Sequence, residues 1–360
     1  MSQQGIDESA VLEALKVIQD PDLHKDIVSL GFVKQVSIDG EMVSVVIELT
    51  TPACPVKDQM RDQAETVLRQ LPGVEKVHVE MTANVRSASS PDEGRAAIPG
   101  VRNIIAVGAG KGGVGKTTVS VNLACALARH GSRVGLLDGD VYGPNVPIML
   151  GAKTQLETDG DKIVPAECYG IRVVSIGFLT QDEAPVIWRG PMLHGVIQQF
   201  FREVKWGELD YLVIDMPPGT GDVALSLSQT VPVSGAVAVT TPQTVSLADT
   251  RRAIRMYQKL NIPMLGLLEN MSHFVCPSCS HESDIFGKGG GESLAEQMKI
   301  PFLGQIPLYE PVRVGGDQGT PIVMTEPECS AGQSLINAAA RLAAQISIAS
   351  YETSVGVPAA

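Results

Sequence analysis

Apolar and polar positions change rhythm twice along this chain. Over residues 9–19, Val11, Leu12, Leu15, Val17 and Ile18 recur at helical spacing, and the run stops before Pro21. Residues 31–38 and 41–49 alternate apolar with polar positions around Asp39-Gly40, which predicts a hairpin. Residues 56–71 return to a helical period that ends at Pro72-Gly73, and 74–81 alternate again as a strand. Residues 1–84 are therefore expected to form a small α+β unit. Residues 85–100 are rich in Ser, Pro, Gly and Ala without an apolar period, and read as a linker.

From residue 101 the pattern becomes short, continuously apolar runs at 103–107, 133–137, 171–174, 211–214, 235–240, 264–268 and 302–306. Helical patterns fit between several of them, at 117–129, 192–205 and 246–260. Such runs separated by helices predict an α/β fold with a mostly parallel sheet covered on both faces. This domain is expected over 101–350, with a flexible tail at 351–360. The uncharged stretch 223–248 is long enough to cross a bilayer. It contains Pro232, Gly235 and Pro242 and many hydroxyl residues, so it reads as a helix, a turn and a buried strand.

Composition narrows the class. Of 360 residues 44% are apolar and 19% charged, which excludes wholesale disorder. Thirty-six glycines with only 4% aromatics suit tight βα turns and disfavour a β-sandwich. The net charge of −12 and the lack of a Lys/Arg run argue against a nucleic-acid partner. The first ten residues lack an apolar signal core, so a cytoplasmic location is expected, and there the six cysteines are not expected to form structural disulfides. Cys125 reads as core, and Cys168 and Cys329 have no partner pattern.

Gly110-Lys111-Gly112-Gly113-Val114-Gly115-Lys116-Thr117, followed by Thr118, fits the G-x-x-x-x-G-K-S/T phosphate loop between a strand and a helix. Glycines let backbone N–H groups turn toward phosphate oxygens, and the helix N-terminus adds partial positive charge. Lys116 is expected to reach the β- and γ-phosphates of ATP and Thr117 to bind Mg²⁺. A second lysine in the loop, Lys111, repels Lys116 unless further phosphate charge compensates. The stretch resembles the deviant phosphate loop of the ParA/MinD/nitrogenase-iron-protein class (the SIMIBI group). In that class the early lysine contacts the nucleotide of the facing subunit, so the resemblance implies an ATP-dependent homodimer.

Three acids follow at expected strand ends, where ligands gather in such sheets. Asp138 and Asp140 are close enough to repel, which calls for a cation or a positioned water. The resemblance gives Asp140 the attacking water, with Asp138 in support. Asp215 ends a buried run and reads as the acid that holds Mg²⁺ through water, and the turn 219–222 is placed to sense the γ-phosphate. The resemblance also gives Asn270 the nucleotide base; a plain turn residue fits it equally.

Cys276 and Cys279 form a CxxC between His273 and His281. Three readings compete: a Cys₂His₂ zinc knot, a dithiol redox pair without a thioredoxin-like context, or two cysteines meeting their copies across a homodimer to give the four thiolates of a [4Fe–4S] cluster. With 137–145, 175–178, 188–192, 215–222, 269–272 and 285–292, the chain resembles the Mrp/ApbC family of iron–sulfur cluster carrier ATPases. The resemblance implies slow ATP hydrolysis, a labile bridging [4Fe–4S] cluster, and transfer between cluster-assembly scaffolds and apo iron–sulfur proteins. The N-terminal unit resembles the small metal–sulfur cluster assembly domain through Asp20-Pro21, residues 30–33 and 49–55. Its Cys54 lies where a helix N-terminus is expected to favour a thiolate for iron–sulfur handling; an inert thiol fits as well.

Two rivals belong to other classes. A ParA/MinD-like positioning switch leaves the CxxC unexplained, and the C-terminal helix, Ala-rich with Arg341 alone, lacks a basic face for a membrane. A reductase like the nitrogenase iron protein takes its cluster cysteines from two loops per chain rather than from one CxxC.

Overall fold

The computed structural model describes residues 6–88, 97–140, 143–152, 156–178, 190–219, 225, 227, 229–276, 278–279 and 281–355. The chain divides into two units, Met1–Arg86 and Ser87–Ala360.

In the first unit, α1 (Glu8–Leu15) starts at Asp7, whose side chain accepts the Ala10 N–H at 2.8 Å. It stops earlier than its periodicity predicts. Asp20 accepts the N–H groups of Asp22 and Leu23 and builds a turn around Pro21. The expected hairpin is β1 (Val33–Asp39) with β2 (Met42–Leu49), closed by the Asp39–Met42 pair. Helix α2 (Lys57–Leu68) then crosses over, and β3 (Lys76–Ala83) runs parallel to β2. Val11, Leu15, Ile47 and Leu68 are fully buried in the resulting core.

The second unit begins with β4 (Val101–Ala109), α3 (Lys116–Arg129), β5 (Val134–Asp138) and α4 (Val146–Met149). A small antiparallel pair, β6 (Glu157–Asp159) and β7 (Lys162–Val164), precedes β8 (Ala166–Cys168) and β9 (Ile171–Ser175). Then come α5 (Gly190–Glu203), β10 (Leu209–Asp215), β11 (Gly235–Thr240), α6 (Thr244–Lys259) and the long β12 (Met264–Val275). The unit closes with β13 (Glu282–Ser283), α7 (Gly290–Met298), β14 (Phe302–Leu308), α8 (Glu310–Gln318), α9 (Ile322–Thr325) and α10 (Ser330–Val355).

Among the described residues the main sheet has nine strands in the order β13-β12-β11-β4-β10-β5-β9-β8, with β14 also on β12. All pairings are parallel except those of the edge strands β8 and β13. The α/β class expected from the apolar runs is the class observed. Strand β10 is buried at every residue, as a strand covered on both faces must be. Helix α3 is buried almost all round because small residues such as Ala124 and Ala126 let it lie between the sheet and α10. The thiol of Cys125 in that helix is pushed up to about 12 by burial, as an inert core cysteine.

Two boundaries need correction. Ile98 falls inside the expected linker, yet it is 4% exposed and packs into the second unit's core; residues 89–96 lie outside the described set. The tail expected from 351 is helical to Val355, with Tyr351 and Glu352 half-buried, while 356–360 lie outside the described residues. Among the described residues no helix is long and apolar enough to cross a membrane.

Ile47 has no exposed surface and sits at the centre of the first unit's core. Ile47→Ala is expected to destabilise that unit by about 3 kcal/mol. Urea unfolding of the full chain, followed by proteolysis within residues 1–86, measures the loss.

Candidate functional site

The phosphate loop leaves the end of β4 at the middle of the sheet, with β10 and β11 on either side. Gly113 and Gly115 both take φ +81, a conformation that side chains resist. At Gly115 a Cβ would also lie 2.2 Å from the Asn270 amide nitrogen. Gly115 caps α3, and Lys116 is the first helical residue.

Lys116 is 7% exposed, and its Nζ lies 2.7 Å from Asp215 Oδ2 and 3.9 Å from Asp140 Oδ2. Asp215 is fully buried at the end of β10. Thr117 Oγ1 donates to its Oδ2 at 2.8 Å, and Ser120 Oγ donates to its Oδ1 at 2.6 Å. Sequence reasoning missed Ser120. It stands three positions after Thr117 on α3, so one turn brings it to the same face.

Asp138 accepts the Ser175 hydroxyl at 2.9 Å and the N–H groups of Val146 and Asp140 at 3.3 and 3.2 Å. It thereby shapes the loop that presents Asp140. Burial, and then the Asp215 charge beside it, push the Asp138 carboxyl up to about 7. Lys116, Thr117, Asp138, Asp140 and Asp215 thus lie together around the phosphate loop. A hydroxyl and a carboxylate side by side at the mouth of the loop are hard oxygen donors that fit Mg²⁺.

A cleft of about 490 Å³ opens over the loop, lined by Lys111, Lys116, Thr117, Thr118, Asp140 and Asn270 among others. Lys111 is half-buried there. The Asn270 amide donates to the Val114 carbonyl at 2.9 Å, so in this structure it braces the phosphate loop. Pro307, Tyr309 and Arg313 form a wall that sequence reasoning did not assign. The signal was available, because they come after the apolar run at 302–306 and so stand at the ligand end of a parallel strand. Within the expected turn at 219–222, residues 220–222 lie outside the described set, as do Val141, Tyr142, Trp188 and Arg189.

The apolar run that ends at 268 continues as β12 to Val275 because two neighbours satisfy its backbone, β14 on one stretch and β13 on another. The CxxC comes directly after it, and the Cys276 N–H donates to the His281 carbonyl at 3.0 Å. Cys276 is half-buried and Cys279 exposed, while Pro277 and Ser280 lie outside the described residues. The N–H groups of Ser278 and Cys279 point at the Cys276 sulfur and hold its thiol below the usual range. Among the described residues no three His, Cys, Asp or Glu side chains gather closely enough to hold a metal ion. His273 turns to the Ser272 hydroxyl at 3.0 Å instead. The single-chain Cys₂His₂ knot is therefore not assembled.

Of the two readings of Cys54, its surroundings favour the inert thiol. Burial and the Asp22 and Asp20 carboxylates push its thiol up to about 11, outweighing the Val56 N–H at the start of the helix.

Residues 100–343 match the family of NUBPL iron-transfer P-loop NTPases, and residues 8–81 match the iron–sulfur cluster assembly protein family. The chain belongs to the NUBPL iron-transfer P-loop NTPase family. It is 48% identical to an iron–sulfur cluster carrier protein of Synechocystis sp., over 94% of this chain and 98% of that one. It is 50% identical to a carrier of the same name from Deinococcus radiodurans, over 94% and 95%. A nucleotide-binding protein from Archaeoglobus fulgidus, solved in complex with ADP, superposes with a TM-score of 0.57 at 38% identity, covering 65% of this chain and 91% of its own. The septum site-determining protein MinD from Pyrococcus horikoshii, complexed with Mg-ADP, gives 0.52 at 28% identity over 66% and 94%. The ParA/MinD-like fold with a small N-terminal domain is thus shown, as is the carrier-family resemblance.

The Asp138 environment sets a pH dependence. Between the ordinary aspartate value near ~4 and about 7, the folded chain keeps a proton that the unfolded chain has lost. The contribution of this group to stability is full below that window and falls as pH rises through it, by up to ~1.4 kcal/mol per unit. Asp138→Asn is expected to remove this slope from the nucleotide-free protein. Urea midpoints of both proteins at about pH 5 and about pH 8 make the comparison, and equal slopes would contradict it.

Proposed function

We propose that this chain is an ATPase that carries an iron–sulfur cluster between two copies of itself and delivers it to apo-proteins. The observation that carries the reading is the CxxC, two thiols presented on one hairpin beside a phosphate-loop cleft and short of a complete ligand set among the described residues. A second copy supplies the other two thiolates of a [4Fe–4S] cargo. The iron–sulfur carrier names of the relatives support the same cargo.

In this reading ATP enters the cleft with its phosphates on the loop N–H groups. Lys116 leaves Asp215 for the β- and γ-phosphate oxygens. Thr117, and Asp215 through water, would hold Mg²⁺, which would supply charge neutralisation at the phosphates. Asp140 orients the attacking water, and Asp138 and Ser175 hold the loop that positions it. Lys111 reaches the nucleotide of the facing copy, so hydrolysis depends on the dimer. Cluster delivery exchanges thiolate ligands for those of the acceptor and moves no electrons. Assembly scaffolds load the cargo, and neither nucleic acid nor membrane takes part.

Two variants separate the activities. Asp140→Asn is expected to lower kcat about 100-fold while nucleotide binding persists. Cys276→Ala/Cys279→Ala is expected to keep ATP hydrolysis and lose the iron, sulfide and visible absorbance acquired on anaerobic reconstitution. Iron and sulfide retained by the double variant would contradict the cargo site.

A further inference from the structure

The nucleotide cleft and the CxxC hairpin share strand β12, and β14 pairs with β12 along both stretches. Asn270 and Met271 of β12, and Pro307 and Leu308 of β14, line the cleft. Phe274 and Val275, further along β12, form the stem of the hairpin with Ser283 and Glu282. Leu308 belongs to both, since it lines the cleft and pairs with Phe274. From Met271 to Cys276 an extended chain covers no more than about 17 Å.

The connection between the two sites is irregular. Asn270 pairs with Ile306 and Phe274 with Leu308, so β12 uses two more residues than β14 over this interval. The surplus is a bulge at residues 271–273, the kind of feature that bends a strand and re-aims the residues beyond it. Met271 takes φ +55, in the left-handed region that a non-glycine residue seldom occupies. Ser272 Oγ donates to the Ile306 carbonyl at 3.1 Å and fastens the bulge to β14. At its near end Asn270 holds the Val114 carbonyl, which sits between the two φ +81 glycines of the phosphate loop. A loop that rearranged around phosphates would displace that carbonyl, whose partner is the residue immediately before the bulge.

We propose that the 271–273 bulge transmits nucleotide state to the CxxC, with Ser272 as the positioning residue that couples it to β14. Filling of the phosphate loop shifts Asn270, the bulge adjusts at Met271, and the hairpin stem carries the change to Cys276. Ser272 is buried and does not line the cleft. The inference rests on the cargo reading only for its iron readout.

The test uses the full chain in wild-type and Ser272→Ala forms, with and without a non-hydrolysable ATP analogue and Mg²⁺. Hydrogen exchange is followed over residues 272–283, including the Cys276 N–H that bonds to His281. After anaerobic reconstitution, the rate at which a chelator removes iron is measured in the same four conditions. In wild type the analogue is expected to change both rates, by about fivefold. In Ser272→Ala, analogue affinity and iron content are expected to stay at wild-type levels while the difference between the two nucleotide states disappears. Exchange that responds at the phosphate loop and stays unchanged over 272–283 in wild type would overturn the inference, whatever the variant does. A wild-type response that persists in full in Ser272→Ala would remove Ser272 from the path. Failure of the chain to take up iron would defeat the cargo reading, while the exchange arm would still decide the link.

Discussion

Lys116 and Asp215 form an ion pair at 2.7 Å with both side chains almost wholly out of water. Neither charge tolerates that position alone, since removing one partner from a buried pair leaves an uncompensated charge. The pair depends on sheet register. Asp215 is level with Val107 of β4 on one side and with Asp138 of β5 on the other. A slip of one residue in β10 would turn the carboxylate to the opposite face of the sheet. The same register sets two carboxylates side by side, and the cost falls on Asp138, which burial and the charge of its neighbour keep protonated over a wider pH range. In the proposed function, nucleotide phosphates with Mg²⁺ would supply the further charges that this arrangement accommodates.

Much of this was legible in the sequence where a short apolar run ends in a chemically specific residue. The β4–loop–α3 unit, Asp138 and Asp215 are of that kind, because buried strands announce themselves and their carboxyl ends face the ligand. Ser120 was hidden because it has no motif spacing of its own and acts through the turn of α3. The wall of Pro307, Tyr309 and Arg313 follows an apolar run and so had a signal in the sequence, while the placing of β14 beside β12 is tertiary information. The continuation of β12 past Leu268 was hidden for a related reason: its polar residues bond to β13 and β14 rather than keeping an apolar pattern. Cys54 stayed open between two readings because helix-terminus electrostatics is a local cue, whereas burial and two nearby carboxylates come from the folded unit.

The CxxC gains meaning from its place. At a distance from the cleft it would be a pair of thiols on a turn. It stands instead at the end of the strand whose earlier residues brace the phosphate loop, on a hairpin that exposes Cys279 and lowers the Cys276 thiol toward its metal-binding form. In the proposed function two thiols are half of a four-thiolate set, and the resemblance of the phosphate loop to the deviant class is the separate feature that led to a reading with two copies.

Native mass measurement of the anaerobically reconstituted full chain tests that claim most directly. The expected species is two chains carrying one cluster of four iron and four sulfide. Single chains each holding one metal ion, or paired chains with a separate cluster on each, would contradict a cargo shared across the dimer.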